Sequence, residues 1–127
     1  MAVFTGPNIT RPPARAAGFS GVYAAPARTL DGGIVFVTAT GEKAVWRNGA
    51  VGSRAQIQGG SMAQPAASRT HVFISAENGL HAFGASADAL LRVFPWVGGG
   101  ISPPAIGPSG HVYAIASNIL FVFRPPQ

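Results

Sequence analysis

The chain has 127 residues, 47% of them hydrophobic and only 10% charged, which supports one domain with a buried core and excludes a disordered chain. It has no cysteine, so disulfides, thiolate metal sites and thiol nucleophiles are excluded. Nine basic residues against four acids give a net charge of +5, but the eight arginines (Arg11, Arg15, Arg28, Arg47, Arg54, Arg69, Arg92, Arg124) form no run, so nucleic acid is not an expected partner.

At the N-terminus, Met1-Ala2-Val3-Phe4 has neither the basic start nor the long apolar stretch of a secretory signal. No apolar run reaches the roughly 18–20 residues that span a bilayer. A cytoplasmic location with no membrane partner is therefore expected. Met1-Ala2-Val3-Phe4 reads as a vestigial strand or an edge addition. Residues 14–19 read as an orphan strand, because Arg15 stands 39 residues before Arg54, and it follows Arg11-Pro12-Pro13, an echo of Arg124-Pro125-Pro126.

From residue 21 the chain repeats. Gly21, Pro26 and Ala27 recur as Gly60, Pro65 and Ala66, then as Gly99, Pro104 and Ala105, each stepping by 39. The units are 21–58, 60–97 and 99–123. Each passes from its Pro-Ala through a loop into an apolar run: Ile34-Val35-Phe36-Val37, Val72-Phe73-Ile74, and Val112-Tyr113-Ala114-Ile115. A short turn follows (Thr40-Gly41, Glu77-Asn78-Gly79, Ser117-Asn118). It leads to a second run ending in an aromatic: Ala44-Val45-Trp46, Leu80-His81-Ala82-Phe83, and Leu120-Phe121-Val122-Phe123.

The first two units add Arg54-Ala55-Gln56-Ile57-Gln58 and Leu90-Leu91-Arg92-Val93-Phe94. Short β-branched and aromatic runs bounded by Gly, Pro, Asn and Ser predict strands. Asn78-Gly79 suits a type I′ hairpin turn. The one helix-like stretch, Ser86 to Arg92, is placed by the repeat as a loop leading into a strand. The uninterrupted apolar run that opens each hairpin implies a sheet buried on both faces.

The expectation is an all-β chain, a single repeat domain over 1–127, with four-stranded units of about 40 residues that match propeller blades. The pattern of Pro104-Ala105, Gly110-His111-Val112-Tyr113 and Gly79-Leu80-His81-Ala82-Phe83 resembles the quinoprotein-like (PQQ-type) repeats over about residues 20–124. The resemblance implies a propeller. Quinone-dependent dehydrogenase activity would require a catalytic Asp and calcium-binding acids, and no residue here matches them, so no cofactor, metal or catalytic residue is assigned. Three blades are too few to close a ring. The last unit stops after its third strand, and the strand at 14–19 is suited to complete it in a second copy, giving a head-to-tail homodimer of six blades.

The titratable set near neutrality is Asp31, Glu42, Glu77, Asp88, His71, His81 and His111. His71 and His111 hold the same place in their units, but equivalent rim positions on adjacent blades lie far apart, so exposed strand-start residues are expected rather than metal ligands. His81, mid-strand among apolar residues, is expected to be hydrogen-bonded and partly buried. Asp31-Gly32-Gly33 and Gly98-Gly99-Gly100 read as turns, since the first has too few oxygen ligands for calcium and no helix follows the second.

The functional expectation is a non-enzymatic binding or interaction module. Glu42, Glu77, Asn78, Asn118 and Trp96 would lie on one loop face, receiving a sugar, a peptide or an anionic small molecule. Trp96 is either an exposed platform there or a core residue. The alternative is a lyase- or hydrolase-type enzyme working in the central channel, which requires convergent acids and His.

Overall fold

The computed structural model describes residues 2–3, 14–15, 24–38, 40–57, 62–97 and 100–124. Their secondary structure is all β. Strands β1 (Ala2–Val3) and β2 (Ala14–Arg15) pair antiparallel as a two-stranded sheet. Sheet I is a meander of β3 (Ala27–Arg28), β4 (Ile34–Val37), β5 (Glu42–Arg47) and β6 (Ala50–Gln56). Sheet II repeats it with β7 (Ala66–Ala67), β8 (His71–Ala76), β9 (Gly79–Gly84) and β10 (Leu90–Pro95). Sheet III has three strands, β11 (Ala105–Ile106), β12 (Val112–Ala116) and β13 (Ile119–Phe123). Strands pair within units and not across them. No helix among the described residues is long and apolar enough to cross a membrane.

The turns explain these boundaries. Asn48-Gly49 joins β5 to β6 with φ of 51° and 85°, and Ser117-Asn118 joins β12 to β13 with φ of 50° and 64°, the doubly positive geometry that matches strand twist. The first of these starts β6 at Ala50, four residues before the expected start at Arg54. In sheet II the loop is Glu77-Asn78, with Ala76 opposite Gly79, so Gly79 is the first strand residue rather than a turn centre. Its φ of 152° and the backbone of Phe94 close beside it explain the glycine. The stretch from Ser86 is a loop feeding β10, as expected. Beyond β2, residues 16–19 of the expected N-terminal strand lie outside the described residues, as do the anchors Gly21, Gly60 and Gly99.

Cross-strand register aligns the sheets residue by residue. Val35, Phe73 and Tyr113 are equivalent, since each faces the first strand's Ala27, Ala66 or Ala105. Trp46, Phe83 and Phe123 are equivalent too, opposite Ile34, Val72 and Val112. Alternation along each strand then defines two faces. One face of sheet I (Val35, Val37, Val45) packs on the facing side of sheet II (Val72, Ile74, Ala76, Phe83), together with Met62 and Ala87. The other face of sheet II (Phe73, Leu80, Ala82) packs, with Trp96, on Val112, Ala114 and Ala116 of sheet III. β8 is thus buried from Val72 to Ala76 because both its sides are core. The short first strands lie side by side, β3 next to β7 and β7 next to β11.

The two ends of the stack differ. On the outer side of sheet I, Phe36 and Ala44 are fully buried. On the outer side of sheet III, Tyr113 (37%), Ile115 (44%), Leu120 (59%) and Val122 (55%) are exposed. Their equivalents in sheet II, Phe73 (3%), Ser75 (0%), Leu80 (0%) and Ala82 (5%), are all covered. β13 has a described neighbour on one edge only, whereas β5 and β9 have one on each.

Candidate binding clefts between the sheets

Repetition puts like turns at like ends. At one end lie the β4–β5, β8–β9 and β12–β13 turns, which carry four of the expected site residues. Here Glu42 is paired with Arg54 at 3.0 Å. Glu77 is exposed in its turn. The Asn78 side-chain oxygen lies 2.9 Å from His81 Nε2, and Asn118 occupies its turn at positive φ. The structure brings these residues to the same end of their sheets, each engaged in its own turn or strand pair.

Trp96 is not an exposed platform. It is 9% exposed in the second core cluster, its indole N–H donates to the Ala76 carbonyl at 2.8 Å, and its ring lies 5.3 Å from that of Phe121. The bond satisfies a backbone acceptor where β8 ends, so the residue closes the core under the β8–β9 turn.

His81 is buried, with Nε2 donating to Asn78, while Nδ1 is buried without a hydrogen-bond partner. Burial lowers its pKa below the usual imidazole value. The ring is buried and hydrogen-bonded, as its mid-strand place among apolar residues suggests. His71 and His111 each bond a neighbouring turn hydroxyl, Thr70 and Ser109, at 2.8 Å. Among the described residues no three His, Asp or Glu side chains group as metal ligands.

The concave surfaces lie at the opposite end, where the β3–β4, β7–β8 and β11–β12 turns approach one another. One cleft, between sheets I and II, is lined by Arg28, Thr29, Leu30, Ser68 and Arg69. Another, of about 310 Å³, runs between Ser68, Arg69, Thr70, Phe73 and the Ile106–Gly110 turn. A third, of about 300 Å³, has an apolar floor of Phe73, Ala82, Phe94, Val112 and Phe123, with Leu91, His71, Arg92 and Arg124 around it. This end is basic: no ion pair joins Arg28, Arg69, Arg92 or Arg124 to a described acid. The Arg92 guanidinium instead stacks on Phe94, 4.6 Å from the ring centre.

The remaining acids at this end are spoken for. Arg47 Nε donates to Asp31 at 3.0 Å, and its NH1 stands 3.6 Å from Asp88. The Asp31 pKa is lowered by hydrogen bonds from the Thr29 hydroxyl and the Gly33 N–H, more than burial raises it, with Arg47 adding to the effect.

Lys43, the single lysine of the chain, was not singled out by the sequence and is the least expected residue of the core. It is fully buried in β5, where its Nζ donates to the Ala87 carbonyl at 2.6 Å and to Ser53 Oγ at 3.1 Å and lies 5.2 Å from the centre of the Phe83 ring. Burial is the main cause of its lowered pKa; Asp88 opposes that shift and Arg47 adds to it. The sequence signal was faint: Lys43 is the single lysine and is followed by the apolar run Ala44-Val45-Trp46, but Glu42 beside it marks an exposed charged turn just as well.

No protein-family model matches the chain, and neither does any curated protein.

Proposed function

We propose that the protein is a non-enzymatic interaction module, a β-propeller scaffold whose three units are completed by a second copy placed head to tail, with ligands entering between the sheets at the basic turn end. One observation carries this reading. Positions that are buried on sheets I and II are exposed on sheet III, although the residues there, Tyr113, Ile115, Leu120 and Val122, are as apolar as a covered face demands. Apolar patches of this kind mark interfaces. Full burial of a large apolar side chain is worth about 1.5–3 kcal/mol, and roughly half of that remains to be gained at each of these part-exposed positions. Among the described residues β13 has a neighbour on one edge only, and the other edge is suited to a strand of the second copy.

The binding reading is also supported over the enzymatic alternative by the acids. Asp31, Glu42 and Asp88 are in ion pairs, leaving little for acid–base chemistry in a channel.

Light scattering after size exclusion tests the proposal. Twice the 13.0 kDa of one chain is expected, falling to one chain when a charge is placed on the open face by Leu120→Lys. A monomeric wild-type mass, or a Leu120→Lys mass unchanged from a dimeric wild type, would refute it.

A further inference from the structure

Two equivalent interfaces of the stack differ in one respect. Between sheets I and II the loop that leaves β9 turns inward. Ala87, at a positive φ of 65°, is fully buried in the cluster that contains Val35, Val45, Val72 and Phe83. Cations of sheet I hold that loop by its oxygens: Lys43 binds the Ala87 carbonyl, and Arg47 binds the Ser86 carbonyl and faces the Asp88 carboxylate. Between sheets II and III the register equivalents of Val35, Val45, Val72 and Phe83 are Phe73, Ala82, Val112 and Phe123. These four form the floor of the 300 Å³ cleft. Among the described residues, none fills in the second interface the space that Ala87 fills in the first; the register equivalent of Ala87 there is Gln127, which lies outside the described residues.

The two interfaces carry their cations in different places: Lys43 and Arg47 of sheet I in the first, Arg92 of sheet II and Arg124 of sheet III in the second. Arg92 stands opposite Ala82 where Ser53 stands opposite Val45. Arg124 follows Phe123 where Gly84 follows Phe83, and His71 completes the lining. Leu80 holds the place of Lys43, so positive charge has moved from the floor to the mouth.

We infer that this cleft is a binding site for a short acidic peptide turn, with a small apolar residue seated on the floor and the following carboxylate and adjacent carbonyls held by Arg92 and Arg124. The chain's own loop is the template for the occupant. A simple anion would meet the arginines yet leave the apolar floor exposed, whereas a Ser-Ala-Asp turn fits both. The site lies between two sheets of one chain and does not depend on self-association.

The probe is the acetylated and amidated heptapeptide Gly-Ala-Ser-Ala-Asp-Ala-Leu, the sequence of residues 84–90, titrated to millimolar concentration into the isotope-labelled full chain. Saturable amide shifts are expected around His71, Ala82, Arg92 and Phe123, in wild type and in Leu120→Lys alike. Arg92→Ser and Arg124→Gly each weaken binding about tenfold or more, as the loss of a charge-assisted contact does. Peptides with Asn for Asp, or Phe for the central Ala, bind correspondingly less. Absence of shifts, equal binding of the Asn peptide, or insensitivity to both arginine variants overturns the inference. So does full displacement of the peptide by an equal concentration of inorganic phosphate, which would make the site one for simple anions.

Discussion

Gly79→Ala measures how closely β9 and β10 approach. A methyl group at Gly79 would stand 2.5 Å from the Phe94 carbonyl oxygen, and 3.1 Å from both the Phe94 carbonyl carbon and Pro95 Cα. All three are backbone atoms of the paired strand and cannot swing aside. A residue with a side chain also resists the φ of 152°, a strain of about 1–3 kcal/mol. Forcing the strands apart adds about 1–3 kcal/mol, as overpacking does. The sum, about 2–6 kcal/mol, is a large share of the roughly 5–15 kcal/mol that holds a domain together.

In urea, with a slope of about 2 kcal/mol per molar, the midpoint falls by about 1–3 M. Two other glycines calibrate the result. At Gly49 φ is also positive but nothing lies within 4 Å, so Ala costs only the backbone term, about 1–2 kcal/mol. At Gly52 there is open space and no such φ, and Ala is neutral or stabilises by about 0.5–1 kcal/mol. If Gly79→Ala unfolds no earlier than Gly49→Ala, the close approach of β9 to β10 is wrong.

His81 gives an acid-sensitive core. Its pKa is depressed by burial below 6.5, so the unfolded chain takes up the proton first, and its share of stability, complete above pH 6.5, is lost as pH falls through the folded value. Urea midpoints measured downward from pH 7.5 should drop, and His81→Gln should flatten the part of that slope just below 6.5. Lys43 acts at the other extreme. Its folded pKa lies below 10.5, so stability rises with pH through the window beneath 10.5, a slope that Lys43→Met removes. At neutral pH the same variant strands the Ala87 carbonyl and costs about 1–3 kcal/mol by denaturant titration. Trp96→Phe keeps the ring packing but deprives the Ala76 carbonyl of its donor, and a loss of about 1–2 kcal/mol is expected in the same assay.

Much of the fold was legible because its signals are local. The repeat, the apolar strands β4, β8 and β12, and the loop before β10 follow from spacing, branching and turn residues. The start of β6 was misread because Ala50–Gln56 is polar and exposed, and its real marker, Asn48-Gly49, had to be recognised as a hairpin turn. The Asn78-Gly79 turn was misplaced by one residue because the glycine answers to a neighbouring strand, a contact that no dipeptide rule contains. The clefts between the sheets were not legible at all. They depend on which face of each strand looks at which sheet. The turn between the first and second strands differs in length among the units, so Val35, Phe73 and Tyr113 are separated by 38 and 40 residues rather than by the 39 of the anchors.

The open side of sheet III has a geometric consequence. Because each sheet presents unlike surfaces fore and aft, the stack has a polarity, and any addition to it by the same contact is heterologous. Such growth closes only when the wedge angle between neighbours divides a full circle; otherwise it continues as a fibre. That angle is set by the bulk at the contacts, and the contact between sheets II and III sets three alanines, Ala82, Ala114 and Ala116, among the larger Phe73, Leu80 and Trp96. Enlarging one of these alanines by a methyl group or two would tilt sheet III against sheet II, and with it the direction in which any further copy would be added.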